Sequence, residues 1–423
     1  MDLIPFLSTE QVRRIQKEFG TPVYVYDQVT LEEQADRVMD FPNAFGLIAR
    51  YAMKACPSAA VLRVLTHRGL HIDASSGYEA ERAIRAGVPG ERIQITTQQV
   101  PGNLGELIDK GCRFNACSLN QIEAVGAARP GIDIALRINP GLGSGHSNRT
   151  NVGGPAASFG IWHEYLPDAL AIAKKHNLTV KRMHTHIGSG SDPEVWERVA
   201  LMSLDICSRI PGVTSLSLGG GYKVARVKGE VSTDLQKIGL HIVEAFRAHA
   251  AKHGRELELE VEPGTYLVAN ACALISTAID VVDTGEEGYR FVKVDTGMTE
   301  LLRPSLYGAQ HPIETVPLED DKRSHQEYIV AGHCCESGDV LTPAPDDPEG
   351  LQPRFLVETR PGDAVVIGGA GAYCSGQSAK NYNSFPEAAE VMIVRDGSIE
   401  LMRKRQTLDQ VLQNEVVPES LTP

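Results

Sequence analysis

The sequence predicts an α/β fold: a (β/α)8 TIM-type barrel followed by a C-terminal, mostly antiparallel β-barrel or sandwich domain. Three observations predict it. Apolar or alternating runs of strand length are followed by segments of helical spacing, eight times between Phe45 and Glu262. After Ala273 the rhythm changes to β-rich stretches with few helical runs. Polar residues collect just where the predicted strands end, which is where a barrel of this kind carries its active site. Eight alternations in about 220 residues match a closed parallel barrel, and an open doubly wound sheet is the structural alternative.

The predicted barrel strands are Phe45 to Tyr51, Leu70 to Asp73, Arg92 to Thr96, Arg113 to Ser118, Asp133 to Ile138, Val180 to His186, Val213 to Leu218 and Leu257 to Glu262. Between them, Pro57 to Arg68 places Val61, Leu62 and Leu65 on one helical face, and Tyr78 to Ala86 does the same with Ala80, Ala83 and Ile84. Tyr165 to His176, Pro193 to Ile210 and Asp234 to His253 have the length of whole helices, and Gly254 is a natural stop for the last. Beyond the barrel, Ile275 to Val282, Phe291 to Val294, Gln326 to Ala331, Asp363 to Ile367 and Val391 to Val394 read as strands, and the proline- and acid-rich Thr342 to Pro353 reads as a solvated loop. The short run Val23 to Tyr26 has no partner in the barrel count. The expected domains are therefore residues 1–35, an N-terminal strand joining the β-domain, residues 36–274, the barrel, and residues 275–423, the β-rich domain.

Composition narrows the function class. The chain has 423 residues, 42% hydrophobic and 22% charged, enough apolar material for a sizeable core. Its net charge of −13 disfavours nucleic acid and other polyanions as partners. No apolar run approaches the roughly 20 residues that span a bilayer, and Met1 to Phe19 mixes charges in a way that fits neither a signal nor a transit peptide. Eight cysteines without framework spacing point to free thiols and a cytoplasmic location.

The strand ends carry the chemistry. Lys54 comes after the first strand, expected to be half-buried at the barrel mouth, where a lysine either snorkels or pairs with an acid, or serves as an amine of lowered pKa that forms a Schiff base, most often with pyridoxal phosphate. Asp73, Ser76, Gly77 and Glu79 stand at the end of the second strand. Gly219, Gly220 and Gly221 after the seventh let backbone N–H groups approach a phosphate, or form a plain tight turn. Glu262, before Pro263 and Gly264, suits a partner for a pyridinium nitrogen, or a strand-end ion pair. His184 and His186, two apart on a strand, face one way; without a third ligand at recognisable spacing a stacking or hydrogen-bonding role is preferred to a metal site. The second domain adds Cys334 to Asp339, Gly371 to Tyr373, and Tyr382 with Asn383, a dense set on short loops, although an adjacent cysteine pair is as often packing.

Taken in order, Tyr51-Ala52-Met53-Lys54-Ala55, Asp73 through Glu79, His186-Ile187-Gly188-Ser189, Gly219-Gly220-Gly221, Glu262-Pro263-Gly264, Cys335-Glu336-Ser337-Gly338-Asp339 and Gly371-Ala372-Tyr373 resemble the fold-type III pyridoxal-phosphate decarboxylases. Within that group the likeness is strongest to the diaminopimelate decarboxylases, through Cys335 to Asp339, Arg303 to Ala309 and Tyr382-Asn383-Ser384. The resemblance implies that Lys54 binds the cofactor covalently, that His186 stacks on its ring, and that Ser189 with Gly219 to Gly221 holds its phosphate. It implies Asp73 and Gly264 in the cofactor site and Glu262 at the pyridine nitrogen. Tyr373 would reach the phosphate and substrate from a neighbouring subunit. Arg303 and Tyr307 would hold a substrate carboxylate, Glu336 the distal amino group, and Cys335 would protonate the carbon that loses CO2. The implied assembly is a head-to-tail homodimer with shared active sites.

Three departures bear on the substrate. Thr265 stands where the motif Glu-Pro-Gly usually continues with an arginine, Ala157 and Ser158 precede Phe159-Gly160-Ile161 where a lysine is usual, and Phe385-Pro386-Glu387 comes after Ser384 where arginine and proline are common. Losing a bidentate carboxylate partner weakens recognition. A sister decarboxylase of a carboxylated polyamine or another basic amino acid is therefore the alternative, ahead of a racemase or a non-catalytic binder of the cofactor.

Overall fold

The computed structural model describes residues 4–142, 153–186, 188, 190, 192–319 and 321–421, and it divides into two compact units. The first to be described spans Leu31–Ala225 and Gly229–Val268. Its eight strands are Leu47–Ala52, His71–Ala74, Ile93–Ile95, Arg113–Ala116, Asp133–Asn139, Thr179–His184, Ser215–Ser217 and Glu258–Val261. Each pairs in parallel with the next, and the last pairs with the first through Leu259 opposite Leu47, so the sheet is closed. Closure rules out the open doubly wound sheet. A short extra strand, Ile161–Trp162, pairs with Asp133–Asn139 outside this ring.

Local chemistry explains the helices between the strands. Ser76, Ser118 and Asp234 accept hydrogen bonds from the backbone N–H groups of Glu79, Gln121 and Lys237, as N-caps do. Gly254 ends the helix Leu235–His253 in the left-handed conformation expected of it, at φ 65°. Leu104–Asp109 and Leu119–Ala128 are the helices after the third and fourth strands. The first has only 6 residues, too few for a periodic pattern to stand out.

The barrel interior is more polar than such barrels usually are. Side chains two apart on a strand face the same way, so Arg182 and His184, Ser215 and Ser217, and Glu258, Glu260 and Glu262 form inward columns. Glu260 is fully buried and takes Arg50 Nε at 2.9 Å, Arg182 Nε at 2.6 Å and Ser215 Oγ at 3.0 Å. Burial alone would raise the Glu260 pKa; the two guanidinium groups outweigh it and lower it to about 2. This charged plug lies one inward step below Glu262.

The second unit spans Met1–Thr30, Arg226–Lys228 and Ala269–Pro423. Its sheet runs Arg354–Val357, His325–Ala331, Arg290–Val294, Cys272–Asp283, Val23–Asp27, Ala389–Ile393 and Ile399–Arg403, with Ala364–Ile367 and Ile313–Val316 branching from Cys272–Asp283. Most pairs are antiparallel; Val23–Asp27 with Ala389–Ile393 and Arg290–Val294 with His325–Ala331 are parallel. Val23–Asp27 is wholly buried because it lies between Cys272–Asp283 and Ala389–Ile393. The helix Thr9–Phe19 adds Val12 and Ile15 to a core of Val23, Val25, Ile275, Val366 and Val391, each worth about 1.5–3 kcal/mol when fully buried. One expectation is corrected here: Thr342 to Pro353 is not simply a solvated loop. Pro343–Ala344 and Asp347–Leu351 form a two-stranded ladder turning at Asp346 (φ 60°), and Thr342 and Pro343 are buried. Prolines at an edge ladder cost no hydrogen bond that the pair needs, and so do not forbid it.

Candidate active site

The barrel's strand ends assemble a hydrogen-bonded polar layer from residues distant in sequence. Glu262, just past the last strand, is 7% exposed and lies among donors. Ser217 Oγ donates to its Oε1 at 2.9 Å, Gln94 Nε2 stands at 3.5 Å from the same atom, and His184 Nε2 lies 3.1 Å from Oε2. On the other side of the imidazole, the Asn115 side-chain amide is 2.7 Å from Nδ1. As the amide donates there, Nδ1 accepts and the His184 proton sits on Nε2, facing Glu262. Burial would raise the Glu262 pKa, but His184 and then Arg182 hold the carboxylate below its usual range. A neutral His184, which burial favours, still keeps Nε2 within 3.1 Å of the ionised acid.

The same layer continues to Asp73. Thr96 Oγ1 donates to Asp73 Oδ1 at 2.6 Å and accepts from Asn115 Nδ2 at 3.2 Å, so one asparagine links the two carboxylates. Burial and the Glu262 charge raise the Asp73 pKa from 3.8 to about 7, against Thr96 and Lys54, which lower it. The environments of two acids thus drive them apart, Glu262 ionised and Asp73 close to half-protonated at neutral pH. A raised acid contributes stability that is complete below its unfolded pKa of about 3.8 and is lost as pH rises through about 7. Asp73→Asn is therefore expected to remove part of the wild-type fall in unfolding free energy between pH 4 and pH 8, on the order of 2–4 kcal/mol. Urea titrations of both proteins across that range check it, and equal slopes would refute it.

Lys54 lies in the turn Met53–Ala55 directly after the first strand. It is exposed, not half-buried as expected, because that turn carries its side chain out of the packed interior while Met53 and Ala55 face in. Its charge acts on Asp73, Glu79 and His186. Gly264 packs against the same turn: a Cβ there would stand 3.4 Å from the Cβ atoms of Ala52 and Ala55.

His186 and the glycine turn are fitted to each other. The Gly220 N–H donates to His186 Nδ1 at 3.3 Å, and the two histidine rings lie 6.5 Å apart at an interplanar angle of 14°. Burial, then Arg137 and Lys54, push the His186 pKa well below its ordinary value, so the ring is neutral. Gly219 adopts φ 72°, and a Cβ on it would come 2.6 Å from His186 Nδ1; one on Gly220 would meet the Glu262 carbonyl oxygen at 2.1 Å. Only glycine lets the turn approach both groups. Gly221 (φ 105°) continues it and accepts from the Gly190 N–H at 3.1 Å. Ser189 lies outside the described residues. Among the described residues no cluster of three or more His, Cys, Asp or Glu side chains is placed to hold a metal ion.

In the second unit, Cys335 is exposed on a loop held by Asp339. The buried Asp339 carboxylate accepts from the N–H groups of Met298 (2.6 Å) and Cys334 (2.9 Å), and a Cβ on Gly297 or Gly332 would come within 2.2 Å of it. Asn383 Oδ1 accepts from the Cys335 N–H at 2.8 Å, and Tyr382 Oη reaches Glu336 at 3.4 Å. Asn381, Asn383 and Ser384 all take positive φ to do this, as does the half-buried Tyr373 (φ 58°). Arg303 and Tyr307 begin and end a one-turn helix. Asp339→Ala leaves two buried N–H groups without their acceptor, at about 1–3 kcal/mol each. We expect a lower melting temperature and a kcat reduced roughly tenfold or more through misplacement of Cys335, with Asp339→Asn milder. Thermal unfolding and steady-state rates test this.

Sequence reasoning misses Gln94, Thr96, Asn115, Arg137, Ser217 and the Arg50–Glu260–Arg182 plug. A signal is present: polar residues two apart inside otherwise apolar strands. Strand-end chemistry accounts for it at Glu262 and His186 only, although the column behind each carries polar side chains too. Arg137, stacked over the Phe159 ring at 5.0 Å, is one of the charges that keep His186 neutral.

Comparison with known proteins places this geometry. Residues 31–269 match the family described as "Pyridoxal-dependent decarboxylase, pyridoxal binding domain". A protein of Escherichia coli K12 named diaminopimelate decarboxylase is 34% identical over 421 residues, covering 97% of each chain. One of the same name from Streptomyces coelicolor is 36% identical over 412 residues, 95% of this chain and 90% of that one. A crystal structure of diaminopimelate decarboxylase superposes with a TM-score of 0.89 at 33% identity, covering 96% of both chains. A closed barrel with an ionised carboxylate and a neutral histidine at its mouth, matched over most of its length, means that this chain belongs to the pyridoxal-dependent decarboxylases.

Proposed function

We propose that this chain converts meso-2,6-diaminopimelate to L-lysine and carbon dioxide. The reading of the chemistry rests above all on Glu262, a buried carboxylate that the barrel keeps ionised by surrounding it with donors. The full-length likeness to diaminopimelate decarboxylases supports the substrate.

The residues present fit pyridoxal phosphate. The glycine turn would lose its close approach if Gly219 or Gly220 carried a Cβ, as a backbone phosphate cradle would. Gly219, Gly220, Gly221, Ser189, Gly264 and Tyr373 would hold the phosphate end, the neutral His186 would lie against the ring, and Lys54 Nζ would hold the cofactor covalently. When bound, the cofactor supplies an electron sink for the pair released as CO2 departs. Glu262 would keep a proton on the ring nitrogen, with Asp73 close to half-protonated at neutral pH; Arg303 and Tyr307 would bind a carboxylate, and Glu336 the distal ammonium. Cys335 Sγ donates a proton to the carbon from which CO2 has left. Incubation of the purified holoenzyme with meso-diaminopimelate, with lysine and CO2 quantified, tests the reading. No lysine formed, with turnover of L-lysine, L-ornithine or a carboxylated polyamine instead, would transfer the assignment to the sister activity that Thr265 motivates.

The functional unit we propose is a cytoplasmic homodimer in which Cys335, Glu336 and Tyr373 serve the partner's barrel. Mixing inactive Lys54→Ala with inactive Cys335→Ala should then restore up to about a quarter of the wild-type activity, because random re-pairing leaves one intact site in half of the dimers. Mixtures that stay inactive after subunit exchange would count against sharing.

A further inference from the structure

We infer that Arg226 is the second cation of a carboxylate clamp with Arg303 and selects substrates that keep a second carboxylate, an inference that rests on the proposed decarboxylation. Arg226 sits in a three-residue excursion, Arg226–Lys228, that belongs to the β-rich unit. Its Nε donates to the Gly369 carbonyl at 3.2 Å. The side chain lies so close over Gly369, which takes φ 65°, that a Cβ there would meet Arg226 Cδ at 2.8 Å. The adjacent carbonyl, Gly368, is 2.9 Å from Nδ1 of the buried His311. His311 is reached directly from the Arg303 helix through Gly308 to Gln310, and the strand start is tied back by the Gly368 N–H to the Pro312 carbonyl at 2.8 Å. Arg226 and the Arg303 segment thus hang on successive residues of one glycine-rich loop, the loop that leads into Tyr373 and Cys374.

Positive charge gathers at this loop. Beyond burial, His311 feels two guanidinium groups, Arg303 and Arg226, and Cys374 feels the same two. No carboxylate is among the causes that shift either His311 or Cys374. Arg303 Nε and Ser305 Oγ are buried without a hydrogen-bond partner. Two cations, with these donors, around an uncharged imidazole and thiol form a site for an anion, and guanidinium groups suit a planar carboxylate best. The chain also lacks the arginine that the Glu-Pro-Gly motif usually supplies, with Thr265 in its place, so a cation from a different segment is needed.

The chemistry decides which carboxylate is held. A carboxylate that leaves as neutral CO2 loses its charge in the transition state, and pairing it with two cations would stabilise the ground state and slow the step. The clamp therefore takes the carboxylate that stays.

Arg226→Gln in the holoenzyme, with cofactor absorbance confirming the fold, should raise KM for meso-diaminopimelate about tenfold or more. We expect kcat to change less than about threefold, and affinity for L-lysine, which lacks the second carboxylate, to be unchanged. Arg226→Lys should recover part of the loss and serves if the glutamine variant does not fold. Calorimetric titration with pimelate, a seven-carbon dicarboxylate without amino groups, separates the clamp from the reaction. A tenfold loss of pimelate affinity in either variant supports the clamp even if the wild type proves inactive on meso-diaminopimelate. Unchanged pimelate affinity, or equal weakening of pimelate and L-lysine, overturns it.

Discussion

Lys54→Ala is expected to abolish turnover, by roughly a thousandfold or more, and to remove the visible absorbance of the covalently held cofactor. The expectation comes from position. Lys54 is the exposed residue of a turn whose neighbours Met53 and Ala55 are buried, so the side chain is replaceable without loss of packing. Stability should move by no more than about 0.5 kcal/mol, as for other exposed sites. The paired observation, a folded protein with unchanged melting temperature but no visible band and no activity, separates chemistry from structure. Retained colour and turnover in the variant would remove Lys54 from the mechanism.

Glu262→Ala is expected to damage both stability and activity. Its carboxylate is the acceptor for Ser217 and the partner of His184, and alanine leaves those buried polar groups unsatisfied. Each buried polar group left without its partner costs about 1–3 kcal/mol. Glu262→Gln retains the shape and one acceptor, and should lose about half as much while still lowering kcat by a hundredfold or more, since it cannot carry the charge that the proposed role at the ring nitrogen requires. The pH dependence has a defined sign. A carboxyl held below its unfolded value of 4.5 contributes stability that is present above that pH and is lost as pH falls through the folded value. The wild type should therefore lose more stability than Glu262→Gln on acidification below about pH 4.5. Urea unfolding at pH 7 and pH 4 reads this, and parallel losses in the two proteins would show that the fold does not hold the Glu262 pKa below its ordinary value.

The largest effects thus fall on residues that the sequence singles out, and the reason is local. A strand is recognised by its own apolar run, and the residues at its end are identified as soon as the run stops, so Lys54, Asp73, His186, Gly219 and Glu262 stand out without knowledge of their partners. The supporting layer does not. Asn115 becomes visible as the link between Asp73 and Glu262 only when the fourth strand is placed beside its neighbours. Arg226 lies in a stretch between strand and helix with no pattern of its own.

The sequence by itself determined the eightfold alternation of strands and helices, the β-rich second unit, and the residue types at each strand end. Periodicity and turn chemistry are short-range properties, written within about ten residues of where they act. Only the tertiary structure decided how those residues pair. Arg50 and Arg182 share Glu260 because closure brings the first, sixth and eighth strands around one axis. Asp339 holds the Cys335 loop because Gly297 and Gly332 leave it room, and Arg226 and His311 come together on the successive carbonyls of Gly369 and Gly368. Such pairings depend on register and on contacts between distant segments, and a protonation state depends on both. The same physics that makes a strand legible from its own residues leaves the charge on its last carboxylate to be set by the fold.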